Sequence, residues 1–408
     1  MASTPLEIPS PSGSSDVYMT QGGSPSENMY ELIEMLGGIE SLIDKDDIVI
    51  LKPNSQWRLQ GMTNTDSMLA LMEMILKIPG YSGEVIIADN HQFKEDNSLG
   101  WTTDTPNGRF NLNEVVEYFQ DKGYPNVTKY HWHDAGANPN PLQGDAHGNS
   151  VVEGSAQDDG YVWEEDNFYK AENGNICLMT YPIFTSKYSG ITIDLKNGAF
   201  KNNEYTGQPV KFINISSLNH HSIYCGVTAA VKNLMGVVDM SCGTPAPEPA
   251  DTYNTHHIGL ISLFLERLRR KSYVHWRIRD FVTKYIVNED DLIDFHYTGG
   301  VLGHWMKTVR LPDMNIITAE WIGYGSRIDT KLSARPKALI ASKDAVAADY
   351  YASKHILLPE TEKAAPSSNY LKLNDPDNDD GPFRKFLIYT ARETGGAMRD
   401  SDINVITN

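Results

Sequence analysis

Two short apolar runs without interruption, Ile48-Val49-Ile50-Leu51 and Val85-Ile86-Ile87-Ala88, constrain this chain most. A strand with one wet face alternates apolar and polar side chains. A run without alternation suits a strand covered on both faces, as in a parallel sheet flanked by helices. Between the runs, Asp66 is placed to cap a helix, and Met68, Leu69, Met72, Ile75 and Leu76 recur at helical spacing. Strand, helix, strand is a βαβ unit. Ligands of open parallel sheets bind beyond the carboxyl ends of the strands. Lys52, Asn54, Asp89, Asn90 and His91 follow the two runs, so the pattern places them on one edge. Taken singly, each is also explained as a turn or a cap.

The same reading extends along the chain. Met1 to Ser15 is rich in Ser, Pro and Gly and reads as a flexible tail. Ser24-Pro25-Ser26-Glu27 is a capping box, with Met29, Leu32, Ile33 and Leu36 behind it and Gly37-Gly38 as the stop. Phe110 to Gly123 reads as a helix and Asn126 to His133 as a strand, set among long Gly/Asn/Asp-rich loops between residues 94 and 160. His131 and His133 share a strand face and could ligate a metal, or could mark an exposed strand end. Cys177 to Pro182 and Ile191 to Leu195 read as paired strands, and Lys211 to Ile215 as a buried one. Asn315 to Thr318 and Ala338 to Ala341 are further strands, with Gly323 to Arg327 as a loop and Asp344 capping a helix through Tyr350. The expected fold class is α/β, with mostly parallel sheets, flanking helices and two lobes around a cleft. The expected division is a tail over 1–15, a first lobe over 16–210 with a long loop insertion, and a second lobe over 211–408.

Chemistry-bearing residues concentrate in one segment. His220, His221, Cys225 and Lys232 fall within thirteen residues. Gly226 to Gly236 carries small side chains where a helix is expected to begin. Exposed amides at a helix start attract anions, and small side chains let a ligand reach the backbone. Close helix–sheet packing also explains them. A second pair, His256-His257, lies downstream. Adjacent histidines on a helix cannot both face one point, so at most one of each pair is expected to function. Ile258 to Tyr285 is basic, which serves either to neutralise acidic neighbours or to attract an anionic substrate.

Other classes are disfavoured. The net charge of −18 argues against a globally basic nucleic-acid binder. No apolar run reaches the roughly 18 residues that a membrane span needs. Cys177, Cys225 and Cys242 lack a C-x-x-C arrangement, so neither a disulfide framework, a zinc ribbon nor an iron–sulfur cluster is expected. No basic-then-apolar leader opens the chain, which leaves the compartment open between cytoplasm and export with a leader removed. The dinucleotide, P-loop, zincin and hydrolase motifs are absent. The acidic loop Asn374 to Gly381 departs from a calcium loop, because its glycine comes one position late and Phe386 stands at the closing glutamate.

Three blocks resemble the family catalogued as domain of unknown function 362. They are Gly37-Gly38-Ile39 through Asp47 to Asn54 with Thr63 and Thr65; His221 to Gly236; and Asp344 to Asp349. Asn219 stands where that family often has lysine, and the acidic residue usual near Thr318 is missing. Some relatives carry a ferredoxin module, for which this chain lacks the cysteines. The run Gly226 to Lys232 is also similar to the cofactor-binding run of nickel-pincer lactate racemases. That similarity implies a lysine, Lys232, facing a cleft and a nearby histidine able to bind metal, although His221 lies one residue too far from Gly226 to overlay.

The expected site has Lys232, His221 and Lys52 as catalytic residues. Asn54, Asn90, Thr228 and Asn233 are expected to bind substrate or cofactor, and His91, His221 and His257 to hold a metal. The expected activity is that of an enzyme acting on a small polar or anionic organic molecule. Its cofactor would be a divalent transition metal or a nickel-pincer-like group, with isomerase- or racemase-like or other metal-dependent chemistry. A non-catalytic binder of a small ligand or metal, and a structural or assembly protein, are the alternatives. The expected partner is a small molecule, and self-association into a homo-oligomer is compatible with the sequence.

Overall fold

The computed structural model describes residues 6–90, 100–132, 150–152, 159–239, 255, 258 and 296–408. His91, His133, Cys242, His256, His257 and the basic stretch after Ile258 lie outside the described residues.

The chain begins with β1 (Ser15–Gln21), α1 (Pro25–Met35), β2 (Ile48–Lys52), α2 (Thr65–Leu76), β3 (Glu84–Asp89), α3 (Leu112–Asp121) and β4 (Val127–His131). A run of strands follows: β5 (Ser150–Val152), β6 (Gly160–Lys170), β7 (Ile176–Thr185), β8 (Thr192–Asp194), β9 (Gly198–Lys201) and β10 (Glu204–Tyr205). Then come β11 (Val210–Ser222), β12 (Gly226–Thr228), the one-turn α4 (Ala230–Asn233), β13 (Met314–Gly323), β14 (Ser333–Ala334), β15 (Ala338–Ser342) and β16 (Ile403–Thr407). Longer helices outside these are His296–Thr308 and Pro382–Thr394.

The large sheet has the order β16-β1-β15-β13-β11-β2-β3-β4. All of these strands run the same way except β15, which is antiparallel to both neighbours. Strands from 16–210 and from 211–408 meet in this one sheet, with β11 paired directly to β2. Alternation explains why the apolar runs are continuous. Val49, Leu51, Val85 and Ile87 face the layer formed by α1, α2 and α3, where they meet Leu32, Met68, Met72 and Val115. Ile48, Ile50, Ile86 and Ala88 face the opposite core, with Trp305, Val346 and Phe386 from the later helices. Each such side chain contributes about 1.5–3 kcal/mol by leaving water. A second sheet, β10-β9-β8-β7-β6-β5, contributes Phe184 and Ile193 to that opposite core.

The capping box at Ser24 forms, with Glu27 reaching back to the Ser24 N–H at 2.8 Å. The strands around Cys177–Pro182 and Ile191–Leu195 pair through β7 and β8. Other expectations need correction. Gly226-Val227-Thr228 does not begin a helix. It forms β12, which folds back on β11, with Gly226 at φ +70° making the reversal. An alanine Cβ there would come within 2.2 Å of the Leu373 carbonyl. His131 is fully buried, not an exposed strand end, and its ring lies 4.0 Å from that of Trp101. Of the segment read as a tail, the Ser12 N–H bonds Gly395 O at 3.0 Å and Ser15 opens β1. In the acidic loop, Asp377 pairs with Lys354 at 2.6 Å and Asp379 with Arg384 at 2.8 Å, so these carboxylates are neutralised by the protein's own cations.

Candidate functional site

The strand order reverses at β2 and β11. From β2 the chain proceeds outward through β3 and β4. It returns to β11 beside β2 and proceeds the other way through β13. Open sheets of this kind bind ligands at the carboxyl ends beside such a reversal. Residues 54–63 lie at this edge and are tied to β11. Thr63 Oγ1 accepts from the Asn54 N–H and donates to Ile215 O, both at 2.7 Å. Ser217 Oγ donates to Gly61 O and Asn219 Nδ2 to Gln60 O, at 3.1 and 2.9 Å.

Lys52 lies at the base of this edge and is fully buried. Its ammonium sits 2.9 Å from Asp89 Oδ1, 2.8 Å from Pro53 O and 3.1 Å from Asn233 Oδ1. The ammonium donates to the Pro53 and Asn233 oxygens and forms an ion pair with Asp89. Asp89 Oδ2 accepts from the backbone and the hydroxyl of Ser55. Burial pushes the Lys52 pKa down and the Asp89 pKa up, and each partner opposes that shift in the other. The network runs on through amides. Asn233 Nδ2 donates to Asn214 Oδ1 at 2.8 Å, and Asn214 Nδ2 to Asn315 Oδ1 at 2.9 Å. Lys52 and Asn233 are therefore brought together, as a brace between β2 and α4. Asn90 serves the same join, donating through Nδ2 to Val238 O at 2.7 Å.

Gly236 makes this join possible. A Cβ at that position would lie 2.0 Å from Asp89 Oδ1 and 2.3 Å from Lys52 Nζ. Gly236→Ala is expected to lose about 1–3 kcal/mol of stability through overpacking against a rigid ion pair. Urea unfolding measures this, and a change below 0.5 kcal/mol, roughly the scale of a neutral surface substitution, would show the pair is not so fixed.

Lys232 points into a different group. It is 4% exposed, with Nζ 3.1 Å from Met235 Sδ. Burial lowers its pKa to about 8; the Cys225 thiol opposes this, while Arg327 and Lys52 add to it. Burial raises Cys225 to about 12, against the pull of Lys232 and Arg327. Arg327 is partly buried, and its guanidinium lies over the Trp57 ring, 4.3 Å from the centroid. Burial lowers its pKa, and Cys225 is the group that opposes this. Among the described residues no carboxylate pairs with Arg327. His220 adjoins the same charge. Its Nδ1 is 2.7 Å from Asn374 Oδ1, its ring 4.9 Å from that of Tyr370, and burial lowers its pKa. His221 follows in β11 and is less buried. Thr228 is buried and pairs with Asn219 across the β11–β12 hairpin. Asn54 is 7% exposed, and its Oδ1 has no hydrogen-bond partner among the described residues.

The amides at the start of α4 are already satisfied. Asp349 accepts from Ala230 N at 2.6 Å and from Val231 N at 3.1 Å. The acceptor expected at this helix start is supplied by the protein itself, as the Asp349 carboxyl group. Sequence reading missed Arg327 and Asp349. Arg327 carried one usable signal, since its loop follows a strand whose carboxyl end lies on the same sheet edge.

The fold defines an α/β protein with a mostly parallel sheet, and the candidate site lies at a reversal of its strand order. The chain belongs to the family described as Domain of unknown function (DUF362), which matches residues 112–354. His221–Gly236, Arg327 and Asp344–Asp349 fall inside the match, while Gly37–Asn54 precedes it. Neither the curated proteins nor the solved structures gave a significant match to the chain.

Proposed function

We propose that the chain is an enzyme that binds a small anionic organic molecule at the carboxyl edge of the large sheet and exchanges a proton with it through Lys232. The observation that carries this reading is Arg327, a partly buried guanidinium with no carboxylate partner among the described residues, within electrostatic reach of a second, buried cation. A charge drawn partly out of water is costly unless it is paired, and an incoming anion would pair this one. A lysine with a pKa lowered to about 8 has a neutral fraction of about one tenth at pH 7, far above that of an ordinary lysine, and a general base requires the neutral form. In this reading Lys52 and Asn233 brace the site and do not touch the ligand.

A metal or a nickel-pincer-like group was expected at His91, His221 and His257. Among the described residues no three His, Cys, Asp or Glu side chains are grouped to hold an ion. His91 and His257 lie outside the described residues, and the proposal draws on the chain's own cations.

The test is a thermal-shift screen of small carboxylates and phosphate esters, followed by turnover assays on those that bind. At least one is expected to bind and turn over, with the rate rising with pH through about 8 as Lys232 deprotonates. Lys232→Met should lower affinity about tenfold or more and abolish turnover. Binding without turnover for every ligand would favour the non-catalytic binder. If the screen yields no ligand, the reading fails.

A further inference from the structure

We infer that Arg327 and Trp57 form an oxyanion clamp that selects the ligand by a carboxylate or phosphoryl group held in the plane of the guanidinium. This rests on the reading above and gives it a substrate class. A guanidinium is a planar fork whose donors lie in its own plane, which matches two oxygens of a carboxylate or phosphoryl group. Stacking on an indole covers one face and leaves those in-plane donors for a partner. The 4.3 Å contact with Trp57 therefore holds the guanidinium against the indole and limits where its in-plane donors can grip an oxyanion.

The clamp is built into the backbone. Gln60 Nε2 donates to Ser326 O at 3.0 Å and to Asp329 O at 3.1 Å, which ties the Arg327 loop to the segment that carries Trp57. Ser326 Oγ accepts from Ile328 N and Asp329 N, which stiffens the loop itself. Gly323 N donates to Asn219 Oδ1 at 2.8 Å, fixing the loop to β11. Gly61 lets the two halves approach, since a Cβ there would lie 2.6 Å from Trp57 Cβ and 2.8 Å from Arg327 O. Arg327 retains partial exposure, while Lys232 is almost fully buried. The geometry thus has an outer fork for the anionic end and an inner amine for the reacting end.

The experiment is isothermal titration of the full chain with inorganic phosphate and, separately, with malonate. Tighter binding of phosphate would mark a phosphoryl ligand, and tighter binding of malonate a carboxylate ligand; either supports the clamp. Arg327→Lys keeps the charge but loses the fork, and is expected to weaken the preferred anion at least tenfold with an unchanged thermal midpoint. Trp57→Leu frees the guanidinium and should weaken binding severalfold, while Trp57→Phe should retain most of it. Millimolar ethylguanidinium should restore binding to Arg327→Ala, a rescue that a purely structural role would not give. The clamp is overturned, with the wider reading intact, if Lys232→Met loses binding while Arg327→Lys binds like wild type. If the wild type binds neither probe, both inferences fall.

Discussion

Lys52→Met is expected to lower the free energy of unfolding by about 3–5 kcal/mol, because it strands the Asp89 carboxylate in a dry interior. Lys52 and Asp89 are 0% and 2% exposed and 2.9 Å apart. Removing one ion leaves the other without the partner that offset its desolvation. The loss extends beyond the pair, since Lys52 also holds Pro53 O and Asn233 Oδ1. Urea unfolding followed by circular dichroism and tryptophan fluorescence measures the effect. The double variant Lys52→Met/Asp89→Asn should recover part of the loss, because no unpaired charge remains. Added salt should leave the difference almost unchanged, since screening acts weakly on buried charges. A loss under 1 kcal/mol, the scale of an exposed pair, would show that water reaches the pair and that it is no brace.

The strands that form the centre of the sheet were legible because burial on both faces demands an unbroken apolar run, as in Ile48–Leu51 and Val85–Ala88. The Ser24 cap was legible because its chemistry is local. β1, with the sequence SDVYMTQ, and β16, INVIT, were not, since each is short and mixed and is held by distant partners. The carboxyl-edge placement of Lys52 and Asn90 could be read from strand ends, but their roles could not. Whether an ammonium faces a ligand or a carboxylate depends on Asp89 and Asn233, which only the parallel crossover brings near. Gly226–Thr228 misled because small residues suit both a helix start and a tight strand reversal. The pairing of Asp349 with the α4 amides spans 119 positions and leaves no periodic trace.

Asp349→Ala is expected to cost about 1–3 kcal/mol for each of the two amide N–H groups it orphans, those of Ala230 and Val231. A one-turn helix such as α4 has little stability of its own, so this carboxylate holds the turn from which Lys232 projects. Asp349→Asn keeps one acceptor but turns donors toward the other amide, and should lose less. The pH dependence then separates two forces on the carboxyl group. Burial raises its pKa from the ordinary 3.8 to about 8, while the two amides pull it down. With the folded value above the unfolded one, the native state holds the proton longer. The stability that Asp349 contributes is then full below about pH 4 and is lost as pH rises through about 8. The advantage of wild type over Asp349→Asn should therefore shrink between pH 4 and 8 in unfolding measured at matched ionic strength. An advantage that grows over this range would mean that the amides outweigh burial and that Asp349 is ionised in the fold. In either case Asp349→Ala should also weaken anion binding, because releasing the turn moves the Lys232 amine away from the ligand. Unchanged affinity in a folded variant would separate Asp349 from the site and confine it to the core.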